Sequence, residues 1–366
     1  MKAECQSEKI KDAIVRAERI TGKNLALPVL GSILCIASGK TLRFRATNLN
    51  LGVEIEVPAK IEKEGVVAVK GSILAGFFST LTKNEPVTIV GNGENLTLTT
   101  KTSTVVLKTY NHDDFPTIPM VDDGESFSIP TKVLFDGIKS VSYSASFSDI
   151  KPEIASVYIY NEGEFLVFVA TDSFRLAEKK IKVKGLPDHI SILLPYKNIV
   201  EVLRVIPEEN DTLTIHCTKN QIGITGDGFY ITSRVIDGVF PDYRQIIPKD
   251  AVTTISVLKQ ELIQALKVSN VFSDKFNQIS LQARPRDKFI TLHAQNADIG
   301  ETTAKVEATI EGESIEMHFN YRYFVECFQS ITKESIELKA HGEGRAMIIT
   351  GVNDASFLYL VMPMNR

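Results

Sequence analysis

A serine beside an aspartate, four cysteines, six histidines and several paired carboxylates are the side chains here that could do covalent or acid–base chemistry. Ser173 follows Asp172, but no histidine neighbours it in sequence and no glycine elbow encloses it, so nothing marks an activated nucleophile. Gly91, Gly93 and Glu94 read as a hairpin turn between strands; a Gly-x-Gly with no helix after it has no dipole to aim at phosphate. Cys5, Cys35, Cys217 and Cys327 are scattered without paired spacing, and no histidines form an HExxH pair, so neither a metal site nor a disulfide framework nor a cofactor is indicated. Asp113-Asp114 and Asp122-Asp123 lie in connecting segments and read as solvated acids. The remaining chemistry is non-covalent. Rows of Lys and Arg recur at helical spacing, and the chain closes on Met362-Pro363-Met364, either a last strand with an apolar tail or the lip of an adaptable apolar groove.

The elements that position these groups follow from a repeat. Ala46-Thr47-Asn48, Ala170-Thr171-Asp172 and Ala294-Gln295-Asn296 each end an apolar run, and successive copies are offset by 124 residues, close to a third of the 366-residue chain. The chain therefore reads as three modules, 1–121, 126–247 and 250–366, each large enough for its own core. Each opens with an amphipathic helix. The inward residues are Ile10, Ala13, Ile14, Ala17 and Ile20 in the first, Val133, Leu134, Ile138 and Val141 in the second, and Leu258, Leu262, Ala265, Leu266 and Val268 in the third. A second helix is expected from Gly71, from Pro195 and from Asn320 to Lys333, with outward cations that include Lys83, Lys197, Arg204, Arg322 and Lys333. Between the helices lie alternating Val, Ile, Thr and Phe runs with hairpin turns, so the fold class is α+β, with two helices per module on largely antiparallel sheet. Two Phe-Pro segments, at Phe115 and Phe240, read as stiff linkers between modules.

Composition sets the class. Hydrophobic residues make up 43% and charged residues 23%, no apolar run approaches the ~20 residues of a membrane span, and the first residues carry no apolar leader segment. With four unpaired cysteines, a reducing cytoplasm is expected. Net charge is −4, but residues 1–121 hold 15 Lys and Arg against 12 Asp and Glu, so an acidic chain can still present a basic face to nucleic acid.

ALPVLGSIL at 26–34, ATDSFRLA at 170–177, FPDYRQIIP at 240–248 and the terminal VMPM, in this order and across the whole length, resemble the bacterial sliding clamps, the β subunits of DNA polymerase III. The resemblance implies a non-catalytic, ring-forming, head-to-tail homodimer of DNA-clamp modules. Such a ring encircles duplex DNA without reading sequence and tethers the DNA polymerase III catalytic subunit and other proteins with clamp-binding motifs. It also implies loading by an ATP-driven clamp loader, since this chain has no P-loop of its own. Twelve helices at ~9–10 Å spacing leave a hole of roughly 27 Å, wide enough for duplex DNA. The cations expected to face DNA are Lys9, Arg16, Arg19, Lys23, Lys139, Lys151, Lys197, Arg204 and Lys267, with Asn24 where the family usually has Arg.

Carried over position by position, the family's partner-peptide pocket falls on Ile154, Thr171, Ser173, Phe174, Arg175, Leu176, Pro241, Arg244, Ile246, Leu360, Met362, Pro363 and Met364. Ser173 stands where Gly is common, and Phe174 where His or Tyr is common. The dimer interface falls on Val105 and Leu107 in the first module and Val271 and Phe272 in the third. The alternative is a small-ligand-binding or hydrolytic enzyme on repeated α+β modules. It requires a monomer with a deep polar pocket, whereas the ring requires a native mass near twice 40.5 kDa.

Overall fold

The computed structural model describes residues 1–22, 27–81, 84–148 and 150–364. Among them are six α-helices: α1 (Ser7–Arg19), α2 (Gly71–Thr80), α3 (Thr131–Val141), α4 (Tyr196–Val205), α5 (Lys259–Val271) and α6 (Tyr321–Val325). The strands form one sheet of 13 and one of 12, every pairing antiparallel. No helix among the described residues is long and apolar enough to cross a membrane. The chain divides into two compact units, residues 1–132 with 197–237, and residues 133–196 with 238–366. These units cut across the threefold repeat, because the middle copy gives strands to both sheets.

In α1 the expected stripe is buried as Ile10, Ala13, Ile14 and Ala17, and Arg16 and Arg19 sit in the last turn, where cations complement the helix dipole. The helix start is fastened to the residue before the strand Pro86–Gly91 by Ser7, whose backbone N–H donates to the Glu85 carbonyl and whose hydroxyl accepts from the Glu85 N–H. In α5 the stripe differs from expectation. Leu258 precedes the helix as its N-cap and is exposed, Val268 is exposed as well, and the inward row is Leu262, Leu266 and Ser269. Ser269 is tolerated there because its hydroxyl donates to the Ala265 carbonyl at 2.9 Å. The helix expected from Asn320 to Lys333 is α-helical only over α6 and continues as a 3-10 turn, Glu326–Ser330. The Gly91–Glu94 segment is the expected hairpin turn: the Asn92 side chain accepts from the N–H groups of Glu94 and Asn95, and Gly93 has φ 96°, open to glycine without strain.

The repeat also shows in how sheets are extended. The strand after the first repeated word, Leu51–Pro58, pairs with Phe229–Arg234, the last strand of the second copy. The strand after the second word, Arg175–Lys182, pairs in the same way with Phe357–Val361, the last strand of the third copy. The remaining members of this series are Gly300–Gly312 and Thr104–Tyr110. Residues 300–307 pair only with Phe289–Asn296, and residues 104–108 only with Asn95–Thr99. Each therefore keeps one open backbone edge among the described residues.

Candidate functional site

The repeated word is a hydrogen-bonded turn whose chemistry explains its composition. In the second copy the Thr171 hydroxyl donates to the Arg175 carbonyl at 2.7 Å and accepts from the Ser173 N–H at 3.2 Å, while the Asp172 carboxylate accepts from the N–H groups of Phe174 and Arg175. Thr47 and Asn48 make the same set of bonds with Leu49, Asn50 and Leu51. A hydroxyl and a side-chain oxygen at consecutive positions satisfy the turn's backbone groups, which is why Thr-Asx recurs. The third copy has Gln295 in place of Thr, and only the Asn296 acceptor bond to the Asp298 N–H is kept. Ser173 has φ 78° and Leu49 φ 74°, so both occupy a left-handed position that suits glycine.

In the second unit this turn forms one wall of a cleft of about 420 Å³. Across the three strands that floor it, Thr171 pairs with Leu176 and Leu176 with Leu360. Thr171, Ser173, Arg175, Leu176, Ile246, Leu360 and Met362, all expected from the sequence, line it together. Pro248, Gly344, Arg345 and Ala346 line it too and were not foreseen; the last three belong to the hairpin loop between Ser335–Ala340 and Met347–Gly351, longer than its counterparts in the other two copies.

The other expected pocket residues lie elsewhere. Ile154 is buried beneath the surface. Phe174 is 60% exposed and stacks on Tyr323, ring centroids 6.4 Å apart. Pro241 is exposed, and Pro363 and Met364 continue the tail without lining the cleft; that tail is pinned by the Met362 N–H to the Phe174 carbonyl and the Met364 N–H to the His318 carbonyl. Arg244 instead donates to the Tyr160 hydroxyl at 2.8 Å and pairs with Glu162 at 3.1 Å.

Arg175 is the one buried charge of the site. Its guanidinium pairs with Asp172 at 2.9 Å and with Glu326, and stands 4.4 Å from the Tyr323 ring centroid. Burial pulls its pKa down, but the surrounding Tyr359, Glu326 and Asp172 outweigh that and hold it above the ordinary value. The wall that carries Ile246 is fixed by the FPDYR segment. Phe240 stacks on Tyr158, and the Tyr243 hydroxyl donates to Glu178 and meets the Tyr160 hydroxyl at 2.7 Å. Burial, and then the hydrogen bond to Glu178, push the Tyr243 phenol well above its usual pKa, so it stays a donor. Nothing in the cleft resembles a nucleophile with its base, and no group of three His, Cys, Asp or Glu among the described residues could hold a metal ion.

The expected DNA-facing cations divide between the units: Lys9, Arg16, Arg19, Lys197 and Arg204 in the first, Lys139, Lys151 and Lys267 in the second. Lys23 and Asn24, like Lys83, lie outside the described residues. Lys9, Arg19, Lys139, Lys151, Lys197 and Lys267 are exposed. Arg16 is not a free cation: it pairs with Asp12 at 2.5 Å and donates to the Val205 carbonyl. Arg204 pairs with Glu201 at 2.9 Å. Of the expected interface residues, Leu107 is buried within its own unit and Val105 is half-buried; strand alternation puts Val106 outside, 60% exposed. Val271 is exposed and Phe272 half-buried, its ring close to Gly300.

Three family models, described as the N-terminal, central and C-terminal domains of the DNA polymerase III beta subunit, match residues 1–119, 128–242 and 244–365. The chain is 24% identical over 371 residues to the beta sliding clamp of Synechococcus elongatus and 25% identical over 377 residues to that of Bacillus subtilis, with 100% of this chain and 99% of each relative covered. Among solved structures it is similar to the Bacillus subtilis DNA polymerase sliding clamp (TM-score 0.95, 22% identity, 100% and 99% covered). It is also similar to the DNA polymerase III subunit beta of Pseudomonas aeruginosa (TM-score 0.93, 23% identity, both chains fully covered).

Proposed function

The chain belongs to the family of the DNA polymerase III β subunit, the sliding clamps, and from that premise we propose that two copies close head to tail into a ring that encircles duplex DNA. The protein is a processivity factor, not an enzyme. As a ring it tethers the DNA polymerase III catalytic subunit and other peptide-bearing partners, converting repeated bimolecular encounters into a local one. A clamp loader opens and closes it. The modules of the ring are 1–121, 126–247 and 250–366, and the cleft around Leu176 and Leu360 receives partner peptides.

The observation that carries this reading is the pair of open edges. Inside the chain, the strand after each repeated word pairs with the last strand of the next copy, twice. The third pairing of the series has no partner among the described residues of the chain. It closes only if residues 300–307 of one protomer meet residues 104–108 of another, beside the exposed Val106 on one side and Val271 on the other. An unpaired edge is a template for adding a strand. The exposed cations on a chain of net charge −4 fit weak, sequence-independent DNA contact, in which each neutralised phosphate steepens the salt slope by ~0.9.

The test separates encirclement from affinity. Protein placed on a nicked circle by a clamp loader is expected to survive gel filtration in high salt, because leaving requires opening a protein interface. It is expected to slide off once the circle is cut. Equal retention on circular and linear DNA would mean a local grip on DNA and would end the ring reading.

A further inference from the structure

Two arginines line the cleft of the second unit, and they differ in what already holds them. The Arg175 guanidinium is buried, paired with Asp172 and Glu326 and stacked on Tyr323, so its charge is neutralised before any ligand arrives. Arg345 is exposed, and among the described residues its side chain makes no hydrogen bond or ion pair; only its backbone N–H is engaged, to the Gly342 carbonyl. It is carried on the hairpin loop closed by the Ala340–Met347 pair. Gly342 (φ 107°) and Gly344 (φ 73°) allow that loop its bend without strain. Beneath it, Leu176 and Leu360 offer a guanidinium no side-chain acceptor, and the loop's own acid, Glu343, does not line the cleft.

We infer that Arg345 makes this cleft selective for an acidic apolar peptide: an extended segment whose Leu- or Phe-type side chains fill the floor and whose adjacent carboxylate is bound by the Arg345 guanidinium. The inference rests on the reading of the cleft as the partner-peptide pocket. A guanidinium fork matches a carboxylate in two parallel bonds, and the bonds strengthen as the peptide's apolar groups exclude water. Discrimination also works by exclusion. A neutral peptide covering the floor strips water from Arg345 without replacing its lost hydrogen bonds, whereas an acidic one replaces them.

Two isosteric probes test this by fluorescence anisotropy on the full chain: acetyl-Ser-Asp-Leu-Asp-Leu-Phe-amide and acetyl-Ser-Asn-Leu-Asn-Leu-Phe-amide, each labelled on the serine. The acidic probe is expected to bind about fivefold more tightly at low ionic strength, with the advantage shrinking as salt is added. Arg345→Gln is expected to erase the difference, weakening the acidic probe and tightening the neutral one, and Arg345→Glu to reverse it. Arg345→Lys is expected to keep part of the preference, since it keeps the charge without the fork. Equal wild-type affinity for both probes, or a preference that survives Arg345→Gln, overturns the carboxylate proposal and leaves the pocket reading standing. Binding of neither probe overturns both.

Discussion

The same turn opens into two different clefts. In the first unit the strand after the repeated word begins Leu51-Gly52; in the second, at the equivalent positions, it begins Arg175-Leu176. The pairing is equivalent as well: Thr47–Gly52–Thr232 across three strands on one side, Thr171–Leu176–Leu360 on the other. In the first unit the linker crosses this spot. The Ile118 side chain would lie 2.8 Å from a Cβ built on Gly52, so it fills the place where Leu176 stands in the second unit. The cleft left beside it is about 280 Å³ and lined by polar groups such as Gln221, Thr232 and Arg234. In the second unit the linker residue equivalent to Ile118 is Tyr243, whose ring is drawn toward Glu178 and Tyr160 by its hydroxyl, leaving Leu176 and Leu360 at the cleft floor. A self-filled site needs no partner; an unfilled apolar one does.

The linkers are also fastened by different physics. The first is held by Ile118 and by Tyr230, whose hydroxyl donates to the Pro119 carbonyl and accepts from the Val121 N–H. The second is held by a charged cluster of Arg244, Glu162 and Lys180 around the tyrosine pair. One fastening is indifferent to pH near neutrality and below it, and the other is not.

The largest expected break in this comparison is Arg175→Leu, which imports the residue of the first unit into the second. It leaves Asp172 without its cation and Glu326 without its buried partner. A loss of about 3 kcal/mol is expected, at the low end for a broken buried pair because Glu326 is partly exposed. Urea unfolding measures it, and a loss below ~1 kcal/mol would show that the network is ornamental to stability. Gly52→Leu makes the converse exchange. The new side chain collides with Ile118 and Thr232, so the linker must lift, at a cost of about 2 kcal/mol. Thermal unfolding reads the cost, and proteolysis within residues 115–121 is expected to quicken; an unchanged melting temperature would mean that the linker does not plug the cleft.

The smallest effect sharpens the contrast between fastenings. The Lys180 hydrogen bond, helped by the charges of Lys180 and Arg244 and opposed by partial burial, holds the Glu162 carboxyl below its ordinary pKa. A lowered folded-state pKa means that its stabilisation is complete above about pH 5 and is lost as pH falls through that lowered value. Glu162→Gln is therefore expected to cost about 0.5 kcal/mol at pH 7, discounted for exposure, and nothing once wild-type Glu162 is protonated. Denaturant midpoints at pH 7 and in acid test this; a gap that stays constant with pH would remove the charged fastening from the account.

Much of the cleft was legible because its residues sit in words the sequence repeats. Thr171 and Leu176 were expected because ATDSFRLA resembles the family's motif, and Leu360 and Met362 because the segment around the terminal VMPM does. Arg345 and Ala346 were not readable: their hairpin loop has counterparts at residues 92–94 and 218–220, but it is longer than either, and only strand pairing brings it to the cleft. Phe174 does not line the cleft: it follows a residue at positive φ, and its exposed ring stacks on Tyr323. Along the strand Thr104–Tyr110, alternation puts Leu107 inside its own unit and Val106 outside, a choice that composition alone does not make.

By itself the sequence determined the local rules: which stretches alternate, which carry a helical stripe, where the chain turns, and that one pattern occurs three times. Those rules act within a few residues, through sterics, backbone hydrogen bonding and the period of burial. Tertiary structure decided what the rules leave open. It chose which copy's last strand extends which sheet, and so drew two compact units across a threefold repeat. It spent Arg16 and Arg204 on nearby carboxylates while leaving Arg345 unpaired among the described residues. It filled one turn's cleft with Ile118 and left the other open. Each of those outcomes depends on contacts between residues far apart in the chain, where a few ångströms separate a paired charge from a free one and a plugged groove from a binding site.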